Sequence, residues 1–288
     1  MLNYDEQLFR LITEALKEDI GDGDHSTLCC IPAGEMGKAV LKIKQDGIIA
    51  GIGTAEKIFR HLEPSVIFNS HRKDGDPVIF GDTAFAVEAK VHTILQCERL
   101  VLNSMQRMSG IATLTKKYAD QLKGFRTKIL DTRKTTPNFR LLEKEAVRIG
   151  GGANHRMGLY DMIMLKDNHI DYCGGIEKAI QLAYEYVQIH KPGMQIEVET
   201  RTLDDVKKVV SVGKDKVTRI MLDNFKPPVI TEAMDLIRGG FETEASGGIN
   251  LENLLEYART GVDYVSIGAL IHQAQSLDLS LKAVINKT

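Results

Sequence analysis

Tryptophan is absent from this chain of 288 residues, proline is scarce at 7, and aromatic residues make up only 6%. Formal net charge is -2, with 37 lysines and arginines against 39 aspartates and glutamates. A nucleic-acid surface needs a basic patch with rings on which bases stack, so this balance speaks against such a partner. No stretch approaches the ~20 apolar residues that a membrane span requires, so no membrane is expected either. The four cysteines, Cys29, Cys30, Cys97 and Cys173, lack metal-ligand spacing, and the adjacent pair is badly placed to bridge. Reduced thiols are expected. The start, MLNYDEQLFRLITEALKEDI, is acidic and amphipathic rather than basic and then apolar, so no secretory signal is expected and the cytoplasm is the default compartment.

What remains is the composition of a globular enzyme: 43% hydrophobic, 26% charged, with 25 glycines. The length suits two modest domains. Leu8, Leu11, Ile12 and Leu16 recur at helical spacing between Asp5 and Glu18, and GDGD at residues 21–24 ends that pattern. Apolar runs around 38–52, 66–69, 77–80 and 85–93, punctuated by glycine and aspartate, predict antiparallel strands. A helical pattern over 94–122 follows, with a break expected near Ser109 and Gly110.

Beyond Gly124 the texture becomes a beat of short apolar strand, polar tip and amphipathic stretch: KILDTR, MIMLKD, QIEVET, RIMLDN, FETEASG and YVSIGA. Centres about 21 to 34 residues apart are the size of a βα unit with a right-handed crossover, so the sheet should be parallel. Polar residues gather at every strand end rather than in one glycine-rich turn, which suits a barrel built around its βα loops. Six units, with room for a seventh strand, predict an incomplete barrel.

The tips supply Asp131, Thr132, Arg133 and Lys134; Asn154, His155 and Arg156; Lys166, Asp167, Asn168 and His169; Glu197 and Glu199; Asp223 and Asn224; Glu244 and Ser246; then Gly268. Singly, each has a bland explanation: a carboxylate ending a strand usually caps a helix or faces solvent, and a lone histidine is usually structural. Together they mix cations that grip carboxylate or phosphate oxygens with carboxylates that hold Mg²⁺. Glu197 and Glu199 share one face of their strand, which makes both candidates. Ser246, Gly247 and Gly248 precede a predicted helix with Asn250 as its N-cap, and Gly268 repeats the arrangement; bare N–H groups there suit a phosphate.

These residues are recognisable. DTRKTTPNFR, GGGANHRMGLYDMIMLKDNHI, IEVE, LDNF, EASGGI and SIGAL resemble the quinolinate phosphoribosyltransferases, also called carboxylating nicotinate-nucleotide pyrophosphorylases. The similarity runs from EDIGDGDHST through ERLVLNSMQRMSGIAT to the end of the chain. It implies an N-terminal α/β sandwich domain over 1–112, a C-terminal helix over 271–288 packing back on it, and an incomplete (β/α) TIM-like barrel over 113–270. It also implies a homodimer, in some members a hexamer, with Arg99 donated across the interface. By motif position, Arg99, Thr132, Arg133, His155 and Arg156 resemble the quinolinate-binding groups. Lys134 and Lys166 resemble the lysines that lie between quinolinate and the phosphoribosyl group. Glu199 and Asp223 resemble the residues that engage ribose and Mg²⁺, with Glu197 as the close alternative to Glu199. Ser246, Gly247, Gly248, Gly268 and His272 resemble the phosphate and pyrophosphate contacts. The implied reaction joins quinolinate to phosphoribosyl pyrophosphate with decarboxylation. A nicotinate phosphoribosyltransferase-like enzyme and a non-catalytic anion-binding barrel are the alternatives. One departure is Asn138, where the family usually has glycine; asparagine tolerates the left-handed backbone, so the same turn is expected.

Overall fold

The structure, a computed structural model, describes residues 3–284. Its chain forms two compact units that interleave in sequence: residues 1–116, 135–151 and 270–288 make the first, and residues 117–134 and 152–269 the second.

The amphipathic start folds as α1 (Tyr4–Ile20), burying Leu8, Ile12 and Leu16. Asn3 accepts the Glu6 N–H at 2.9 Å while the Glu6 carboxylate accepts the Asn3 N–H at 2.7 Å, a reciprocal cap. Gly21 ends the helix inside GDGD. Asp24 then caps α2 (His25–Cys30) by accepting from the Thr27 N–H and hydroxyl. Strands β1 (Met36–Ile43) and β2 (Gly47–Ile48) lead into α3 (Ile52–Leu62), followed by β3 (Ile67–Ser70), β4 (Pro77–Val78) and β5 (Thr83–Lys90). The sequence reading had assigned no helix to 52–62. Its signal was present, since Ile52, Ala55, Ile58 and Phe59 lie on one buried stripe, and Asp74 accepts the Gly51 and Ile52 N–H groups at the start of the helix.

Helix α4 (Val91–Gln121) runs without the expected break. Ser109 and Thr113, one turn apart, turn their hydroxyls to the backbone N–H groups of Ala50 and Ile48, at 2.9 and 2.8 Å. Gly110 is small because a Cβ there would lie 2.0 Å from the Gln275 carbonyl oxygen. The small residues mark close approach, not a helix end.

Strand β6 (Lys128–Leu130) belongs to the second unit, whereas α5 (Arg140–Ile149) returns to the first. Asn138, before α5, has φ +62°, the left-handed turn expected of it. The second unit resumes with β7 (Ile163–Leu165), α6 (Asp167–Cys173), α7 (Ile176–His190), β8 (Ile196–Thr200), α8 (Leu203–Val212), β9 (Arg219–Asp223), α9 (Pro227–Ile237), β10 (Glu242–Ser246), α10 (Leu254–Arg259) and β11 (Tyr264–Ser266). Its six strands are all parallel, in the order β6-β11-β10-β9-β8-β7. The seventh strand is reduced to Ala153, which bridges to Leu130 of β6. The architecture is therefore the expected α/β one, an incomplete barrel with an N-terminal α/β unit.

The C-terminal expectation is corrected. After α11 (Ala269–His272) the chain forms β12 (Leu279–Ala283), which pairs antiparallel with β1 in the sheet β12-β1-β5-β3. Leu277, Leu279 and Leu281 are all buried and alternate with Asp278, Ser280 and Lys282, which is strand periodicity. An edge strand covers β1, where a helix would leave its N–H groups unpaired. Residues 285–288 of the expected helix lie outside the described residues. Among the described residues no helix is long and apolar enough to cross a membrane.

Candidate active site

Parallel register sets which side chains share the inner face of the second unit's sheet. Glu197 of β8 pairs with Arg219 of β9, Arg219 with Glu242 of β10, and Asp223 with Ser246. By alternation, Glu197, Glu199, Arg219, Met221, Asp223, Glu242, Glu244 and Ser246 point one way. Val198, Ile220, Leu222 and Ala245, on the other face, are apolar and fully buried. Branched aliphatic side chains dominate the interior of most such barrels. Here that face is charged.

At the strand tips Lys166 donates to Glu199 at 2.9 Å, with the carboxylate only 7% exposed. His169 accepts the Lys166 N–H at 3.0 Å, so it caps the start of α6, the structural role its isolation suggested. Asp223 accepts from the Asn224 amide at 2.7 Å, and Asn224, at φ +59°, donates its N–H to the Ser246 carbonyl. Gly247 and Gly248 follow at φ +98° and +66°. Asn250 does not cap α10 directly: it accepts the Glu252 and Asn253 N–H groups of a preceding turn, and the helix starts after Asn253. The extra turn arises because Asn253 reaches back to the Asn250 N–H and the Gly248 carbonyl.

After β6, Thr132 accepts the Lys134 N–H at 3.1 Å, a tight turn that leaves Arg133 and Lys134 exposed. Arg156 is half-buried and donates to the Met162 carbonyl at 3.2 Å. Its pKa is lowered, first by burial and then by the positive charge of Arg133. Arg99, on α4, and His272, at the end of α11, are both exposed and belong to the first unit.

Glu197 departs from the phosphoribosyl role offered for it. It is fully buried, and its Oε2 lies 2.9 Å from His155 Nε2. The reason is depth: Glu197 pairs with the first residue of β9, whereas Glu199 sits two residues nearer the opening. His155 Nε2 is also 3.3 Å from Glu244 Oε2, which accepts Arg219 Nη1 at 3.0 Å. Arg219 spans on to Glu242 at 2.9 Å and stacks over the Tyr264 ring at 4.2 Å. Burial opposes a charge on His155, yet Glu197 and Glu244 outweigh it and lift the imidazole to about 9. Burial, reinforced by Glu244, pushes Glu197 up to about 7. A second ring proton would have to sit on Nδ1, where the Arg156 N–H at 2.7 Å opposes it, so the pull of the carboxylates is met by one proton that His155 and Glu197 hold between them. The Arg156 N–H, 2.7 Å from His155 Nδ1, disfavours that nitrogen as the proton's home and leaves Nε2, facing the carboxylates, as the protonated position.

Sequence reasoning missed Arg219 and placed Asp131 and Glu244 among the polar strand tips without a role of their own. An arginine opening the apolar run RIMLD, in phase with Asp223, was the available signal. Asp131 is fully buried and accepts the His155 N–H at 2.9 Å and the Asn154 amide at 2.6 Å, so it pins the segment that carries the histidine.

Comparison with known proteins agrees with this geometry. The family model for the quinolinate phosphoribosyl transferase C-terminal domain matches residues 111–282, and that for the N-terminal domain matches residues 24–109. A tobacco quinolinate phosphoribosyltransferase [decarboxylating] is 48% identical over 285 residues, covering 94% of this chain and 81% of its own. A probable carboxylating nicotinate-nucleotide pyrophosphorylase of Bacillus subtilis is 40% identical, covering 97% and 94%. The crystal structure of NadC from Streptococcus pyogenes superposes with TM-score 0.89 at 38% identity, covering 99% of both chains. Human nicotinic acid phosphoribosyltransferase, at 13% identity and TM-score 0.61 over 96% of this chain and 74% of its own, shares the fold alone. With both domain models matched and relatives aligned along nearly its whole length, the chain belongs to the quinolinate phosphoribosyltransferase family.

Proposed function

We propose that this chain transfers the phosphoribosyl group of phosphoribosyl pyrophosphate to the ring nitrogen of quinolinate, releasing pyrophosphate and carbon dioxide and giving nicotinate mononucleotide for de novo NAD biosynthesis. The observation that carries this reading is a single unit in which Lys166 donates to Glu199, Asp223 lies on the same sheet face as Glu199, and the left-handed Gly247–Gly248 turn follows the next strand, the unit that also carries Arg133 and Arg156. Two guanidinium groups are complementary to an adjacent pair of carboxylates.

In this reading Arg133 and Arg156, with Thr132, His155 and a partner subunit's copy of Arg99, orient quinolinate so that its nitrogen faces C1′ of the sugar. The N–C1′ bond forms as the C1′–O bond breaks, and the electron pair leaves with pyrophosphate. Lys134 and Lys166 stand beside the departing charge, while Glu199 and Asp223 support the electron-poor ribose; positioning and fixed charges supply the rate. Bonded to ribose, the ring nitrogen is positive. The neighbouring C–CO₂⁻ bond then breaks, its electron pair stays on the ring carbon, and a proton from water completes the product. Ser246, Gly247, Gly248, Gly268 and His272 hold the phosphates.

Glu199 and Asp223 lie on the same face of adjacent strands and offer hard carboxylate oxygens, a donor set that fits Mg²⁺. Mg²⁺ held there would neutralise charge on the pyrophosphate. The buried His155, Glu197 and Glu244 group does not suit it, because Arg219 already supplies the cation. Assembly as a homodimer, or as a hexamer built from three such dimers, and residence in the cytoplasm belong to the same proposal; the exposure of Arg99 supports the first, and four free cysteines the second. The test is formation of nicotinate mononucleotide and release of the labelled 2-carboxylate as carbon dioxide, with Mg²⁺ and with chelator. Turnover of nicotinate without carbon dioxide release, or no turnover with Mg²⁺, refutes it.

A further inference from the structure

We infer that Glu197, Glu244 and Arg219 are positioning residues for quinolinate: they hold His155 with its proton on Nε2, which bares Nδ1 to accept the Arg156 N–H and fixes where Arg156 presents its guanidinium. The inference rests on the reading of Arg156 as a quinolinate ligand and deepens it.

A neutral imidazole has one donor nitrogen and one acceptor, and the partners of one decide the role of the other. Two carboxylate oxygens, at 2.9 and 3.3 Å, face Nε2. Nε2 makes no aligned hydrogen bond to either oxygen, but two carboxylates this close favour a proton on the nitrogen they face. Nδ1 must then accept, and what it meets at 2.7 Å is the Arg156 N–H. The opposite tautomer sets two N–H groups against each other at one end of the ring and lone pairs against carboxylates at the other. The arrangement is binary.

The remaining members keep it from relaxing. Arg219 donates to Glu244 at 3.0 Å and lies 4.0 Å from Glu197, so neither carboxylate is left without a countercharge in the interior. On the other side Asp131 holds the His155 N–H. Residues 155 and 156 are thereby fixed from both directions, and the Arg156 side chain continues to the Met162 carbonyl. His155 is 8% exposed, with both ring nitrogens turned to protein groups, so its effect on the pocket passes through Arg156. Misplacing a binding group by ~1 Å costs on the order of 100-fold in rate, so a loosened Arg156 has a measurable signature.

Two measurements test this. In protein labelled with ¹⁵N-histidine, with His155 assigned by comparison with His155→Gln, two-bond ¹H–¹⁵N spectra report the tautomer in the unaltered enzyme. A protonated Nε2 and a bare Nδ1 are expected; a proton on Nδ1 overturns the inference whatever any variant does. In Glu197→Gln the new amide can donate to Nε2 and reverse the ring's polarity. The expected result is a loss of the Nε2–H pattern and a quinolinate KM raised ~10- to 100-fold, with the phosphoribosyl pyrophosphate KM held within about twofold. Equal change in both KM values indicates a merely structural role and overturns it. Arg156→Ala separates the two ideas. An unchanged quinolinate KM there removes Arg156 from the pocket and overturns both, whereas a raised KM in Arg156→Ala with a normal one in Glu197→Gln overturns the positioning role alone.

Discussion

Gly247 and Gly248 both sit at positive φ, yet a methyl group added to each meets different surroundings. At Gly248, φ +66°, nothing lies within 4 Å of the added carbon. Gly248→Ala therefore carries only the left-handed backbone cost of about 1–2 kcal/mol. At Gly247 the same atom falls 2.1 Å from Asn224 Oδ1 and 2.7 Å from its Cγ. Asn224 is poorly free to turn away, because its amide donates to Asp223 at 2.7 Å and its own backbone is left-handed at φ +59°. Rotating it breaks a hydrogen bond to a carboxylate, about 1.5–3 kcal/mol, on top of the backbone cost. Loops escape such strain by adopting shapes that no longer cradle a phosphate, so the loss should appear in binding. At about 1.4 kcal/mol per decade, Gly248→Ala should raise the phosphoribosyl pyrophosphate KM roughly 5- to 30-fold and Gly247→Ala about 60-fold or more. Quinolinate affinity should hold in both. Steady-state kinetics with each substrate varied, alongside thermal melting, is the assay. Equal effects at the two glycines, or a loss on the quinolinate side, refute the assignment of this turn to the phosphate.

Gly110→Ala drives a methyl group onto the Gln275 backbone, so overpacking of about 1–3 kcal/mol should lower Tm by several degrees while leaving both KM values unchanged. Fully buried Glu143 accepts from Arg107 and from the Thr136 N–H and hydroxyl, all at 2.8–2.9 Å; Glu143→Gln should cost about 3–5 kcal/mol and lower Tm by on the order of 10 °C. The Asp24 carboxyl is held below its ordinary range by the Thr27 hydroxyl and N–H. The stability it lends is complete above about pH 4 and is lost as pH falls through its depressed pKa, so Asp24→Asn should flatten the decline of Tm between about pH 4 and 2.

The second unit was the more legible half because each strand announced itself twice, by an apolar run and by a polar tip. The alternation in IEVET and RIMLD even carried the inward direction of Glu197, Glu199 and Asp223. What alternation does not carry is depth along the strand. Glu197 and Glu199 are alike in sequence, and only the register with Arg219 puts one beneath the other. The same limit hid the partnership of His155 with Glu197, which joins a loop residue to a strand 42 positions further on. In the first unit the errors have local causes. Gly110 was read as a helix breaker, although its backbone is helical and its size serves Gln275. Alternating leucines at 277, 279 and 281 were folded into a helix because amphipathic stretches elsewhere in the chain are helices.

The positive charge of Arg133 weighs on Arg156, and the inner face of the sheet shows how that cost is offset. Burial and Arg133 pull the Arg156 pKa down, while the charges of Glu197 and Asp161 pull it back up. Asp161 also ties down the loop after Arg156, accepting the Met157 and Gly158 N–H groups at 2.7 and 2.9 Å. Arg219 in turn balances Glu197 and Glu244, and Glu242 balances Arg219. Sign therefore alternates from neighbour to neighbour, guanidinium, carboxylate, guanidinium, carboxylate, away from the pair of arginines. Opposite unit charges ~4 Å apart interact by about 4 kcal/mol at an effective dielectric constant near 20, so neutralising any one member exposes the next. A dicarboxylate bound to Arg133 and Arg156 extends the alternation by one more step, and a monocarboxylate supplies half of it. A chain of formal charge -2 can hold a strongly cationic pocket on these terms, because the compensating charge sits within the same sheet and cancels in the total.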